Sequence, residues 1–146
     1  MKKYLSFVFY FFCLSIIILN FSSSAFAYEK YLNGNKNFIL VDGHMGVGFY
    51  LVKDSIKISQ LLSNKYELFV SAKIVVADER TKEIKDSYDK DYRYDLLANK
   101  MYSMNKYLSY EYVPKTGSWA ETGVVLPAGN LIFQILKGRK FYNTDY

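Results

Sequence analysis

Cysteine and histidine are almost absent from this sequence, which has one of each, Cys13 and His44. A lone cysteine cannot close an intramolecular disulfide, and zinc sites usually draw several His or Cys ligands. Proline is scarce as well, with Pro114 and Pro127 as its two occurrences. Disulfide scaffolds and metal centres built from His or Cys are therefore disfavoured. We predict no cofactor, no metal ligands and no catalytic residues.

The first 27 residues have the order of features found in a secretory signal peptide. Lys2 and Lys3 give a positively charged start, residues 5–19 form an apolar run, and residues 25–27 (Ala-Phe-Ala) supply the small residues of a cleavage site. We therefore predict cleavage before Tyr28, with export to the periplasm, the cell surface or the medium.

An uncleaved membrane anchor is the alternative for the same segment. No charge occurs between Lys3 and Glu29, and residues 5–21 provide a run of 17, at the short end of the roughly 17–25 needed to span a bilayer. A lipoprotein is disfavoured because Cys13 lies inside the apolar run without small residues before it. After cleavage we expect no membrane contact.

Residues 28–146 form the predicted mature chain, a single exported domain of 119 residues. This length is sufficient for one hydrophobic core. The mature chain has no cysteine, because Cys13 leaves with the signal peptide, and it has 17 Lys and Arg against 14 Asp and Glu. So small an excess of positive charge does not indicate nucleic acid. We predict no nucleic-acid partner and leave the oligomeric state open.

Aromatic and β-branched residues suit pleated, half-buried surfaces and favour sheet over most of this domain. The strongest alternation runs over residues 66–78, where Leu68, Val70 and Ile74 fall on one face. Residues 78–91 are nearly all charged or polar and are predicted to be an exposed connection. The other predicted strands cover residues 37–42, 49–52, 55–59, 92–104 and 107–113.

The last segment changes to the period of a helix. Its apolar residues recur at i, i+3, i+4, i+7 and i+8, at Ala128, Leu131, Ile132, Ile135 and Leu136. Pro127 suits the first helical position and Gly138 the position after the last turn, whereas Asn130 lies outside the apolar stripe. The predicted fold is α+β, an antiparallel sheet of five to six strands with one C-terminal helix packed on a face.

The glycine-rich stretch around His44 is interpreted as a hairpin. Gly43, Gly46 and Gly48 give the spacing G-x-x-G-x-G, but no lysine follows as it does in a P-loop. Since His44 is the one histidine, a haem or zinc site there would lack partners. We interpret His44 as a turn residue.

Carboxylates and serines elsewhere give no stronger signal. Four aspartates are interleaved with lysines and lack the turn glycine and closing glutamate of a calcium loop, at Asp86, Asp89, Asp91 and Asp95. Such a pattern is typical of a solvated charge run. Ser55 and Ser118 lack the context of a nucleophile elbow.

Tyrosines are the remaining candidates. We interpret most of them as core residues or cross-strand partners, since aromatic pairs stabilise sheets by roughly 0.2–1 kcal/mol each. If several are exposed together, they form an amphipathic surface suited to protein or glycan contact. The candidate binding surface consists of Tyr92, Tyr94, Tyr107, Tyr110, Tyr112 and Trp119.

Several short stretches resemble a known family. Residues 49–56 (FYLVKDSI) are similar to the aromatic-aromatic-x-x-x-x-Ser-Ile opening of bacterial surface-adhesin E-like domains, and residues 127–129 (PAG) resemble their entry into a terminal helix. Residues 41–46 and 117–123 also resemble small secreted proteins of Gram-negative bacteria. The resemblance covers roughly residues 37–142 and implies an antiparallel sheet with a C-terminal helix.

Two departures from that family bear on function. The resemblance implies a lipoprotein whose helix is tied to the sheet by a disulfide, and this chain has neither a lipobox nor a cysteine after residue 27. The resemblance therefore transfers no functional residue.

The leading hypothesis is an exported, non-enzymatic binding or envelope-interaction domain of adhesin-like character. The alternatives are a periplasmic structural accessory or inhibitor module and a small hydrolase with a cryptic site. An exposed aromatic patch would favour binding, and a deep pocket containing His44 would favour an enzyme.

Overall fold

An antiparallel sheet with one main C-terminal helix packed on it forms the domain, so the predicted α+β fold is confirmed. The computed structural model describes residues 28–143, and the predicted signal peptide lies outside them. The strands are β1 (Phe38–His44), β2 (Val47–Val52), β3 (Lys57–Ile58), β4 (Glu67–Asp78), β5 (Ile84–Asp95), β6 (Lys100–Met104) and β7 (Tyr110–Val113). The helices are α1 (Trp119–Thr122) and α2 (Val125–Lys137).

The strands follow the order β1-β2-β4-β5-β6-β7, and β3 pairs with β4 as an additional short strand. Strand β2 pairs with β4 at residues 74–78 and β3 pairs with it at residues 70–71, so both lie on the same side of β4. A single 3-10 turn, Lys53–Ser55, separates them. This break reduces the predicted strand at residues 55–59 to two residues.

The prediction that residues 78–91 form an exposed connection is wrong. Most of this segment is the first part of β5, which pairs with β4 along its whole length. A turn closed by Asp78 joins the two strands, with Asp78 Oδ1 accepting from the N–H groups of Arg80 and Thr81 at 2.9 Å each. Backbone pairing fixes the strand while its charged side chains stay in water, so polarity alone does not indicate a loop here.

Two other boundaries differ from the prediction because of turns with left-handed backbone. Residues 92–104 are not one strand, since a turn at residues 96–99 with Asn99 at φ 50° separates β5 from β6. Strand β1 continues through His44, and the hairpin turns at Met45 (φ 50°) and Gly46 (φ 79°). Positive φ at both positions is the geometry of a tight two-residue hairpin turn.

Helix α2 covers one face of the sheet, and the main core lies between them. Two buried tyrosines of β5 fasten the helix, because Tyr92 Oη donates to the Val125 carbonyl (3.0 Å) and Tyr94 Oη to the Gly129 carbonyl (2.9 Å). A Cβ atom at Gly129 would overlap Met101 Sδ and lie 2.9 Å from Tyr92 Cε1. Glycine at this position therefore lets the helix backbone approach the sheet.

The buried surface of α2 is shifted from the predicted stripe. Ala128 and Ile132 are buried as predicted, but Leu131, Ile135 and Leu136 are only partly buried. Phe133 and Asn130, which lie outside the stripe, are buried in their place. The chain after α2 folds back along the helix, and Asn130 Oδ1 accepts from the Tyr142 backbone N–H at 2.9 Å. Gly138 ends the helix in the left-handed conformation (φ 74°) as predicted, whereas Pro127 is the third helical residue rather than the first.

Candidate functional site

The structure does not bring the six candidate aromatic residues together. Tyr92 and Tyr94 are fully buried under α2, so their assignment to a binding surface is wrong. They are core residues, which is how the sequence analysis interprets most of the tyrosines. Of the remaining candidates, Tyr107 lies in the exposed turn between β6 and β7, and Tyr110 and Tyr112 share the other face of the sheet on β7.

Trp119 belongs to a separate cluster with His44. The His44 and Trp119 rings are stacked at 3.8 Å between centroids with 17° between their planes. The Trp119 indole N–H also donates to Asp42 Oδ2 at 2.6 Å. These contacts tie α1 to the β1–β2 hairpin, so His44 is the last residue of a strand with a structural contact, not the turn residue that was predicted.

The side of the sheet opposite α2 carries an aromatic cluster around Arg93. Cross-strand pairing runs Phe69 to Arg93 to Tyr102 to Tyr112, which places one residue from each of four neighbouring strands in a row. Paired residues of antiparallel strands point to the same face. We call the surface formed by Phe69, Arg93, Tyr102, Tyr110 and Tyr112 the open face.

The rings of the open face support the Arg93 guanidinium. Its Cζ atom lies 4.2 Å from the Tyr102 ring centroid and 5.9 Å from that of Tyr110. Tyr112 meets Tyr102 edge to face at 5.9 Å, and Phe69 meets Tyr110 edge to face at 5.8 Å. Contact with two rings limits the orientations of the guanidinium and of its planar set of N–H donors.

Arg93 is short of hydrogen-bond partners. Its Nε lies 3.7 Å from Glu67 Oε1, and the pair is partly exposed. Nε itself is buried and has no hydrogen-bond partner in the described part of the chain. Buried polar atoms nearly always have a partner, so Nε is an exception in this domain. Because Nε is buried, a ligand could reach only the terminal nitrogens of the guanidinium.

Carboxylates and hydroxyls border the same cluster. Burial and the nearby Asp91 carboxylate raise the pKa of Tyr110, and the positive charge of Arg93 acts in the opposite direction. Asp91 and Arg93 therefore both act on the Tyr110 hydroxyl. Ser71, the cross-strand partner of Asp91, adds a second hydroxyl.

Two adjoining hollows extend from this cluster along β4. One of about 310 Å³ is lined by Phe69, Tyr110, Asp91 and Leu62 among others, and one of about 490 Å³ by Asp54, Lys73 and Asp89 among others. Lys57 and Ser71 line both hollows. The two form a groove with aromatic rings at one end and alternating charges along the rest.

The aspartates considered for calcium lie on β5, where Asp89 forms an ion pair with Lys73 at 3.8 Å. Within residues 28–143 no group of three or more His, Cys, Asp or Glu side chains is placed to hold a metal ion. No helix in this range is long and apolar enough to cross a membrane.

Three residues of the open face were absent from the sequence-based candidates: Arg93, Phe69 and Tyr102. Arg93 stands between Tyr92 and Tyr94, and alternation in a strand sends it to the opposite face. That signal was present in the sequence. The convergence of Phe69 and Tyr102 on Arg93 depends on the pairing register, which the sequence does not contain.

Comparisons with protein-family models, with curated proteins and with solved structures give no match.

Proposed function

We propose that this chain is an exported, non-enzymatic binding domain whose open face binds a glycan of the cell envelope. The observation that carries the proposal is the Arg93 guanidinium, which lies over the Tyr102 ring, forms a long ion pair with Glu67 at 3.7 Å and has no hydrogen-bond partner at Nε within residues 28–143. Donors held in a fixed plane on a ring are ready to bind a ligand at little conformational cost.

The mixture of groups on the open face favours a sugar over other ligands. A sugar hydroxyl both donates and accepts hydrogen bonds, so it matches a surface where Arg93 donates and the Asp91 and Glu67 carboxylates accept. Flat rings such as those of Tyr110 and Phe69 offer large apolar area with few rotatable bonds. A purely anionic ligand would meet repulsion from these carboxylates, and a purely apolar one would leave Arg93 unpaired.

The groove beside the cluster has a size that suits an extended ligand. Its two hollows, about 310 and 490 Å³, lie within the usual range of small-molecule sites. We assign the ring end, at Phe69 and Tyr110, to stacking, and the charged part, at Ser71, Lys73 and Asp89, to polar contacts.

A glycan array followed by calorimetry on the best saccharide tests the proposal, with the chain that begins at Tyr28. Arg93→Met keeps the length of the side chain and removes its donors. It should weaken binding about tenfold or more, as expected for the loss of charge-assisted hydrogen bonds. Lys85→Met is the matched control, because Lys85 is an exposed cation of the same strand that pairs with Glu83.

Equal affinity of wild type and Arg93→Met would refute the assignment of the site. Absence of any saccharide binding would refute the assignment of a glycan as the ligand. Capture of a protein in its place would assign the open face to a protein partner.

A further inference from the structure

Leucine side chains project from one end of the sheet, where β4 begins and β5 ends. Leu61 is 99% exposed and Leu97 is 74% exposed, and three neighbours are more than a third exposed, namely Leu62, Tyr66 and Leu96. We call these five residues the leucine rim. Scattered exposed apolar residues are ordinary on soluble proteins, but a contiguous group marks an interaction surface.

The two loops that carry the rim are in contact. The Leu96 backbone N–H donates to the Tyr66 carbonyl at 2.8 Å, and the first residue of β4, Glu67, pairs with the last residue of β5, Asp95. The pairs Leu61-Leu62 and Leu96-Leu97 therefore lie at the same end of the sheet, on neighbouring connections.

Side-chain hydrogen bonds at the base of each loop hold these turns in shape. Asn64 Oδ1 accepts from the N–H groups of Tyr66 and Glu67 at 2.8 and 3.0 Å. Asp95 Oδ1 accepts from the N–H groups of Leu97 and Ala98 at 3.1 and 2.8 Å. Polar side chains thus satisfy the backbone, and the leucines are left to point outwards.

Lysines are in slight excess beside the rim. Lys65 Nζ lies 5.4 Å from the centroid of the Tyr66 ring, and Lys100 pairs in the sheet with Asp95, where β6 begins. Two acids lie nearby: the charge of Glu67 is offset by its ion pair with Arg93, whereas Asp95 keeps its charge while it accepts from its own turn. Leucine tips, a tyrosine at their base and lysines at the border are the arrangement that suits a bilayer interface.

We propose that the leucine rim inserts into the headgroup region of a lipid bilayer that contains anionic lipids, so that this end of the domain rests on a membrane. Two convex tips fit a deformable lipid surface, whereas a protein partner would need a matching cavity for each tip. Lysines at the border add attraction to anionic headgroups. This differs from the sequence-based expectation of no membrane contact after residue 27. The rim shares Leu62 with the glycan groove, but Leu61 and Leu97, which the experiment changes, do not line it.

Vesicle co-sedimentation with the chain that begins at Tyr28 tests the inference. The probes are vesicles of phosphatidylglycerol with phosphatidylethanolamine and vesicles of phosphatidylcholine alone. We expect binding to the anionic vesicles and weaker binding in high salt. The partition coefficient of Leu61→Asp and of Leu97→Asp should be lower by at least about tenfold, since each change replaces apolar area that enters the bilayer by a charge.

Met45→Asp is the matched control. Met45 is 88% exposed at the β1–β2 turn, which lies at the opposite end of β4 because Val47 pairs with Asp78. Its φ of 50° suits aspartate, so this variant should fold and bind vesicles like wild type. Circular dichroism confirms that each variant is folded.

The inference fails if wild type does not sediment with anionic vesicles, or if Met45→Asp loses binding as much as the rim variants do. It also fails if sedimentation velocity shows that the rim joins two copies of the chain and that vesicles do not compete.

Discussion

The two faces of the β4–β5 hairpin use similar residues for opposite purposes. On the face under α2, Tyr92 and Tyr94 are fully buried and their hydroxyls bond to helix carbonyls. On the open face, Arg93 stands between them in sequence, and its Nε has no hydrogen-bond partner among the described residues. The helix closes one face with hydrogen bonds, while on the other face the Arg93 side chain stays partly exposed beside Glu67.

What separates the faces is the position of one helix. The contact at Gly129 brings α2 close enough for the two tyrosine hydroxyls to reach its backbone. No corresponding element among residues 28–143 covers Arg93 and Tyr102. In β5, β6 and β7 a tyrosine is therefore a core residue or a surface residue according to its parity along the strand. Tyr50 of β2 differs, because it is buried with Val75 in a second cluster on the face opposite α2.

Truncation of Tyr94 should have the largest effect. Tyr94 is fully buried, and its ring packs on Phe133 and Phe141 at 5.1 Å from each. Tyr94→Ala should lower the free energy of unfolding by about 3–5 kcal/mol, as expected for a large aromatic core residue. Urea unfolding measures this. Tyr112→Ala, from the half-exposed open face, is the comparison, and an equal loss in both would remove the distinction between the faces.

Asn130→Ala should cost about 1–3 kcal/mol, because it leaves the buried backbone N–H of Tyr142 without its acceptor. The sequence pattern predicts that Asn130→Ala costs little stability, since Asn130 lies outside the apolar stripe of the helix. Gln134→Ala is the control on an exposed position of the same helix. Thermal and urea unfolding measure the stability of both variants. Similar small losses in the free energy of unfolding would mean that the C-terminal segment does not depend on the Asn130 contact.

High pH should lower the stability of the domain through Tyr142. Burial raises the pKa of Tyr142 to about 12, from a value of 10.0 for a free tyrosine. Its hydroxyl accepts from the Met101 N–H (2.7 Å) and donates to the Val113 carbonyl (3.2 Å). A raised pKa of an acid means that the folded state holds its proton more tightly, so this contribution is complete below pH 10 and is lost as the pH rises towards 12.

Urea unfolding at a series of alkaline pH values checks this expectation. Tyr142→Phe, which cannot ionise, should be less stable at neutral pH but should lose less further stability above pH 10. Identical alkaline slopes for wild type and variant would contradict the role given to Tyr142.

Arg93→Met should have the smallest effect on stability and separates folding from binding. The guanidinium is partly exposed and its contacts are one ion pair and two rings, each of which is worth about 1 kcal/mol or less at such a site. The same change should abolish most glycan binding. A loss of several kcal/mol in urea unfolding would mean that Arg93 is structural and that the open face is not a binding surface.

The sequence predicted what periodicity and turn chemistry determine. The alternation of Leu68, Val70 and Ile74 located β4, and Gly138 located the end of α2. Both signals are local, because a strand face and a helix end are set by adjacent residues.

The remaining features depend on contacts between distant residues. The charged first part of β5 is a strand because β4 supplies its hydrogen bonds. Asn130 is buried because Tyr142 folds back on the helix. Arg93 is a candidate binding residue because pairing places it beside Phe69 and Tyr102, and the sequence of one strand does not specify its neighbours.

Covalent labelling of tyrosines, read by mass spectrometry, tests the separation of the two faces most directly. In the folded chain Tyr107, 76% exposed, and Tyr112 should react, and Tyr92 and Tyr94 should stay protected until the domain unfolds. A bound saccharide should protect Tyr110 and Tyr112 but not Tyr107. Modification of Tyr92 or Tyr94 as fast as Tyr107, or protection by the saccharide at Tyr107 alone, would contradict the account.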